Sequence, residues 1–254
     1  MDGILLLEKQ KETDHYQIQS LPINSGVFCL KKDRFQDVVW IGTDGQGVYL
    51  YSNPLYSIKS MVLSNYTEKI ERPVRAIYLD DERTFWVGTK GNGILKIYDY
   101  EFDKNISDCR AEVLTTSNSA LSSNAVYCFA KSHRNLLWIG DEEGLTYYSY
   151  REKRIKSIPI RIGNKDFKYI HDIYETADSE LWLASVGMGV VKARIAGTPD
   201  NPVIVDAQRY IINDGELGSN YFFTIYAENE ANLLFGNKGS VSYTHLRAHE
   251  TRHD

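Results

Sequence analysis

The stretch V-W-I-G-T-D-G-Q-G-V-Y-L, from Val39 to Leu50, decides the fold, because near-copies of it return along the chain. T-F-W-V-G-T-K-G-N-G-I-L-K-I-Y runs from Thr84 to Tyr98, and L-L-W-I-G-D-E-E-G-L-T-Y-Y from Leu136 to Tyr148. L-W-L-A-S-V-G-M-G-V-V-K follows from Leu181 to Lys192, and a degraded copy, N-L-L-F-G-N-K-G-S-V-S-Y, from Asn232 to Tyr243. The chain has four tryptophans, and Trp40, Trp86, Trp138 and Trp182 all hold one place in this unit, which Leu234 takes in the fifth copy. Those positions lie 46, 52, 44 and 52 residues apart. Self-similarity at such a period marks a repeat architecture and outranks any single motif.

Each copy reads as a β-hairpin: apolar and β-branched residues lead into the Trp, a Gly-rich turn follows, and a second alternating run leaves it. In the second copy Gly88, Gly91 and Gly93 can take φ > 0 or let neighbouring backbones approach closely. A phosphate-cradling loop would need a helix to start just after the glycines. Here the residues that follow, Ile94 to Tyr98, alternate as a strand. Gly42, Gly88 and Gly140, two places after their tryptophans, are therefore read as structural.

About a dozen residues before each Trp position lies another apolar run: Val27 to Leu30, Val74 to Leu79, Val126 to Phe129, Ile170 to Tyr174 and Tyr221 to Tyr226. Charged turns such as Asp80-Asp81-Glu82 join these runs to the Trp strands. After the hairpins come more polar strand candidates at Tyr56 to Leu63, Ala111 to Thr115, Ile155 to Ile160 and Val203 to Ile211. One period is then four short antiparallel strands, the blade of a β-propeller. Such a unit buries its faces only against neighbours stacked on it. The tryptophans suit that stacking. A buried aromatic removes roughly 150–250 Å² from water, worth on the order of 4–6 kcal/mol at about 25 cal/mol per Å². A sugar-binding platform of indoles would instead need them exposed, and their place inside apolar strands argues against it.

With 254 residues, 43% hydrophobic and 25% charged, the composition is that of an ordinary globular domain. A net charge of −5 gives no basic stripe for nucleic acid. The 18 tyrosines fit half-buried pleated surfaces. No apolar run reaches the length of a membrane span, and Ile4 to Leu7 is too short for a signal-peptide core. Cys29, Cys109 and Cys128 form no CxxC pair; Cys29 and Cys128 fall at equivalent apolar strand positions and read as small buried side chains.

The sequence thus predicts an all-β fold: a β-propeller of four-stranded antiparallel blades spanning 1–243, incomplete, with about five blades and a partial one. Asp2 to Leu7 aligns with Gln46 to Tyr51, the second half of a hairpin, and Tyr16 to Leu21 would be the outer strand of the same blade. Gly197 to Pro202 reads as a surface loop. The run 244–254 breaks the pattern and looks like a non-native translation, so it is set aside. His245, His249 and His253 are spaced as zinc ligands on a helix would be, but all three fall in that run. No metal or cofactor is expected. Acidic residues including Asp80, Asp81, Asp141, Glu142 and Glu143 cluster in turns and read as solvated.

The phrase N-x-V-x-x-[IF] leading to L-W-I-G-T-x-x-G-G-[LI]-x-x-Y resembles the two-component regulator propeller repeat. Asn124 to Phe129 with Leu137 to Tyr147, and Val39 to Tyr51, carry the resemblance. Departures are Asp141 and Ser185 for Thr, Ala184 for Gly, and Leu234 for Trp. The resemblance implies the periplasmic sensor region of a hybrid two-component histidine kinase of the Bacteroidetes type. Such a parent protein is anchored in the inner membrane and carries further blades and a kinase, and the family commonly senses glycan-derived oligosaccharides. No kinase-like segment is present here, so this stretch would recognise a ligand and catalyse nothing. A ligand would bind on the rim where Trp-strand turns meet the connections entering each blade, near Asp44, Arg72, Lys90, Asn124, Asp141, Lys168 and Asn220. The alternatives are a protein-interaction scaffold, homodimeric pairing included, and a propeller lyase or glycosidase with facing carboxylates.

Overall fold

In the computed structural model, residues 3–10, 15–52, 57–61, 72–100, 109–211, 219–229 and 232–237 are described. Among them every regular element is a β-strand. Strands β1 (Leu5–Lys9) and β2 (Tyr16–Ser20) form an antiparallel hairpin. β3 (Val27–Lys32), β4 (Val38–Thr43), β5 (Val48–Ser52) and β6 (Ser57–Met61) then pair in chain order as a meander. The same arrangement returns in β7 (Val74–Leu79), β8 (Phe85–Thr89), β9 (Ile94–Ile97) and β10 (Ala111–Leu114). A third copy comprises β11 (Val126–Lys131), β12 (Leu136–Asp141), β13 (Leu145–Ser149) and β14 (Arg154–Ser157). Next comes a small hairpin, β15 (Arg161–Ile162) with β16 (Lys165–Asp166). The fourth meander is β17 (Ile170–Glu175), β18 (Glu180–Ser185), β19 (Gly189–Thr198) and β20 (Asn201–Tyr210). β21 (Phe222–Asn229) and β22 (Asn232–Asn237) pair as the first two strands of the fifth copy.

The repeat holds to the level of register. Lys31, Tyr78, Ala130 and Tyr174 face Trp40, Trp86, Trp138 and Trp182 across the first two strands, and Tyr226 faces Leu234 at the same rung. The Trp strands are buried on both faces, which is why they read as continuous apolar runs rather than alternating ones. The chain divides into two compact units, Met1–Leu114 and Thr115–Asp254.

Within the first unit the Trp40 ring lies 4.0 Å from Phe85 and 5.1 Å from Tyr100, so an indole of one sheet packs on the next. Within the second, Trp138 shares a core with Leu181 and Leu183 of the following sheet, and Trp182 lies 5.9 Å from Phe235 of β22. Trp40, Trp86 and Trp138 are fully buried and Trp182 nearly so. Trp40, Trp138 and Trp182 thus pack against a neighbouring sheet, as a stacking role requires.

The turn acids depart from expectation. Asp80 and Asp141 are buried, as is Asp33, whereas Asp81 stays exposed. Asp80 Oδ1 accepts the backbone N–H of Glu82 at 3.0 Å and of Thr84 at 2.8 Å, while Oδ2 accepts the indole N–H of Trp86 at 2.9 Å. Asp33 does the same for Phe35, Gln36 and Trp40. A buried indole N–H needs an acceptor, and a turn carboxylate supplies one while closing its own loop. The third copy has Ser132 at this place, bonded to the Arg134 N–H. There the Trp138 indole donates instead to Glu175 Oε2 of β17, in the next sheet, at 2.7 Å.

The glycine two places after the Trp marks a close approach between sheets. A Cβ on Gly42 would lie 2.5 Å from Cys29 Sγ and 2.9 Å from Val74 Cγ1 of β7. On Gly140 it would lie 2.5 Å from Cys128 Sγ and 2.8 Å from the Ile170 carbonyl oxygen of β17. The half-buried Cys29 and buried Cys128 thiols fill the space that the glycines leave, and desolvation pushes Cys29 up to about 12 and Cys128 well above the ordinary thiol value.

Two connections differ from the sequence reading. The Gly197 to Pro202 stretch is mostly strand: β19 and β20 pair as far as Thr198 with Asn201, leaving only Pro199 and Asp200 as the turn. Pro presets φ for a tight turn, and Gly197 at φ 83° brings the strands close enough that a Cβ there would lie 2.4 Å from Asn201 O. The β15–β16 hairpin was not anticipated; buried Ile160 and Phe167 anchor it, with the Phe167 N–H donating to Ile160 O at 2.8 Å.

Candidate ligand-binding rim

At one end of each sheet, the turn between its second and third strands meets the chain entering a first strand. The Asp44 N–H donates to Gly26 O at 2.9 Å, Lys90 N–H to Pro73 O at 2.9 Å, and Glu142 N–H to Ala125 O at 3.0 Å. In the second unit the pattern links neighbouring copies: Tyr169 N–H donates to Glu142 O, Val186 N–H to Tyr169 O, and Gly187 N–H to Asn220 O. These main-chain bonds fix one edge in each unit, with Asp44, Arg72 and Lys90 on that of the first and Asn124, Asp141, Lys168 and Asn220 on that of the second.

Their side chains do different things. Asp44, Arg72 and Lys90 are exposed in the first unit. Arg72 lies along the Lys90 turn, its stem 3.6 Å from where a Cβ on Gly91 would be, so two cations share one turn. In the second unit Asn124 Oδ1 accepts the Thr116 N–H at 2.9 Å and holds the preceding loop. Lys168 is paired with Glu143. Asn220 contributes its carbonyl to Gly187 and Gly189.

Asp141 is enclosed. It accepts from Ser122 Oγ at 2.6 Å, and from the N–H groups of Glu143 at 2.9 Å and Gly144 at 3.0 Å. Burial pushes its carboxyl up from 3.8 to about 6, against the lowering effect of those donors. It therefore clamps the Ser122 loop to the β12–β13 turn and does not face solvent.

Beside this rim lies a row of residues that sequence reading missed. In every copy the first strand carries a β-bulge, one extra residue opposite the Trp strand, between Val27 and Cys29, Val74 and Ala76, Val126 and Cys128, Ile170 and Asp172, and Phe222 and Thr224. The extra residues are Phe28, Arg75, Tyr127, His171 and Phe223. In the first unit the Arg75 guanidinium sits 3.6 Å over the Phe28 ring. In the second, Tyr127 and His171 stack at 4.3 Å and 14°, and Phe223 meets His171 at 5.4 Å and 80°. The signal was present as the second letter of each run (V-F-C, V-R-A, V-Y-C, I-H-D, F-F-T), which is aromatic or basic in every copy. Tyr169 adds a further mark. It is exposed and holds φ 57°, a conformation that a bulky residue adopts only under constraint.

No family model and no curated protein matches the chain at the level of sequence. The fold is similar to that of several solved structures. One is the extracellular domain of a protein designated a hybrid two component system, BT3049 of B. thetaiotaomicron (TM-score 0.63, 23% identity, 86% of this chain and 27% of that one). Another is PorZ, an essential bacterial surface component of the type-IX secretion system of Porphyromonas gingivalis (TM-score 0.62, 14% identity, 84% and 31%). A third is a protein designated a 6-phosphogluconolactonase of Bacteroides uniformis (TM-score 0.60, 11% identity, 92% and 70%). The chain spans about a third or less of the length of the first two. These likenesses establish an all-β, propeller-like fold.

Proposed function

We propose that this chain is a ligand-sensing propeller segment of an extracytoplasmic two-component regulator. It is non-catalytic in itself, recognises a glycan-derived oligosaccharide on its rim, and hands the signal to the membrane-anchored kinase of the parent protein. The observation that carries this reading is the rim of the first unit, where backbone bonds hold each turn against its entry segment and leave Asp44, Arg72 and Lys90 exposed. The similarity to an extracellular domain of a hybrid two component system supports the placement outside the cytoplasm. Calorimetric titration of the full chain with a panel of oligosaccharides tests it. Saturable heat with at least one sugar is the expected result, and no heat with any of them removes the sugar-sensing reading.

A second reading, a protein-interaction scaffold, is favoured by the exposed Tyr221 and Phe223, at 53% and 42% of their full accessibility. The similarity to PorZ, a surface component of a secretion system, points the same way. Capture of a polypeptide partner or self-pairing, with no sugar bound, would select it.

A further inference from the structure

The bulge row of the second unit has a character that packing does not explain. A β-bulge re-aims one side chain out of the strand's alternation and bends the strand. Here the residue before each bulge does the packing: Val126, Ile170 and Phe222 are fully buried. The bulged residue beside each, Tyr127, His171 and Phe223, is left half-buried or exposed. Phe222 and Phe223 make the contrast directly, one phenyl ring at 0% and the next at 42% accessibility. Turning a ring towards water forgoes the burial that normally fixes an aromatic, so a repeated re-aiming of rings marks a contact surface.

The three rings are also already ordered against one another, by the stack of Tyr127 on His171 and the edge contact of Phe223. Rings held in place before binding lose little freedom when a ligand arrives. Their rims are mixed: a phenol hydroxyl, an imidazole, and the exposed Tyr221 at the entrance to β21. The charges beside the row are already engaged: Asp172 accepts from Thr224 Oγ1 at 3.2 Å and from the Ile225 N–H at 2.7 Å, and Lys168 pairs with Glu143.

We infer that the bulge row Tyr127–His171–Phe223 is a stacking surface for a neutral oligosaccharide. A pyranose offers a C–H face to an aromatic ring and hydroxyls to the polar groups around its edge, and the carboxylate of Asp172 next to His171 disfavours an anionic ligand. The inference rests on the sensing reading above and moves the contact from the charged turns to the bulges. The first unit repeats the device with Phe28 under Arg75.

The test is calorimetry on the full chain with cellohexaose, xylohexaose, mannohexaose, laminarihexaose and, as a charged arm, hexagalacturonate. Three variants separate a ring from mere bulk: Phe223→Tyr, Phe223→Leu and Tyr127→Ala, each checked for an unchanged melting temperature. Expected is binding of a neutral hexasaccharide that Phe223→Tyr retains and that Phe223→Leu and Tyr127→Ala weaken at least tenfold. Binding that survives Phe223→Leu and Tyr127→Ala but is lost in Lys90→Ala overturns the stacking surface and leaves the sensing reading standing. Binding confined to hexagalacturonate overturns the neutral-ligand inference alone. Failure of every sugar with the unaltered chain overturns both.

Discussion

At Asp80 one carboxylate closes a turn and holds an indole. Two backbone N–H groups and the Trp86 N–H depend on it, and the side chain is buried. Leaving a buried donor without its acceptor costs about 1–3 kcal/mol, so Asp80→Ala should lose roughly 2–4 kcal/mol by urea unfolding once the turn is included. Asp80→Asn should lose less, because its amide oxygen still accepts from the turn. If both variants unfold at the midpoint of the unaltered chain, the carboxylate is not holding the blade. Asp141 gives a prediction that depends on pH. Its folded value, about 6, lies above the ordinary 3.8, so the folded state holds the proton more firmly than the unfolded chain. That contribution is complete below about pH 4 and is lost as pH rises through about 6, roughly 3 kcal/mol in all. Asp141→Asn keeps acceptors for the Glu143 and Gly144 N–H groups and should remove this fall. The urea midpoints of the two proteins between pH 4 and 8 provide the comparison, and parallel curves would refute the assignment. Neither burial was legible beforehand, because an Asp in a turn looks the same in sequence whether it faces water or folds back under an indole.

Strands were far more legible than side-chain roles. Five copies of one phrase locate every four-stranded sheet, and Leu234 falls on the rung of the tryptophans despite its different side chain. The bulges stayed hidden, since a run such as V-Y-C-F is equally apolar with or without an extra residue. The β15–β16 hairpin stayed hidden because it belongs to one copy only. At this scale the glycine after the Trp is the sharpest test. Gly140→Ala drives a methyl against Cys128 Sγ and the Ile170 carbonyl. Overpacking of this kind costs typically 1–3 kcal/mol. Cys128→Ala alongside it should restore only part, because the Ile170 backbone stays 2.8 Å away. Denaturant midpoints of the single and double variants decide the matter, and a full rescue would assign the whole clash to the thiol. Ala184 occupies this place in the fourth copy, where the facing residue is Asp172 and no cysteine fills the gap.

For the molecule as a whole, the exposed face of the first hairpin stands out. Leu5, Leu7, Tyr16 and Ile18 are each more than half accessible, and Leu7 faces Ile18 across the pair. Contiguous apolar surface of this sort drives self-association. Leu7→Lys with Ile18→Lys should lower dye binding and light scattering without lowering the melting temperature, since neither side chain is buried. Scattering that persists in the double variant would place the sticky surface elsewhere.

The indole of the third copy takes its acceptor from the fourth, through Glu175, while the first two copies carry their own in Asp33 and Asp80. As modules for transplantation they are therefore unequal. Either of the first two could be grafted into another propeller with its polar wiring intact, whereas the third would arrive with a dangling donor unless its successor travelled with it.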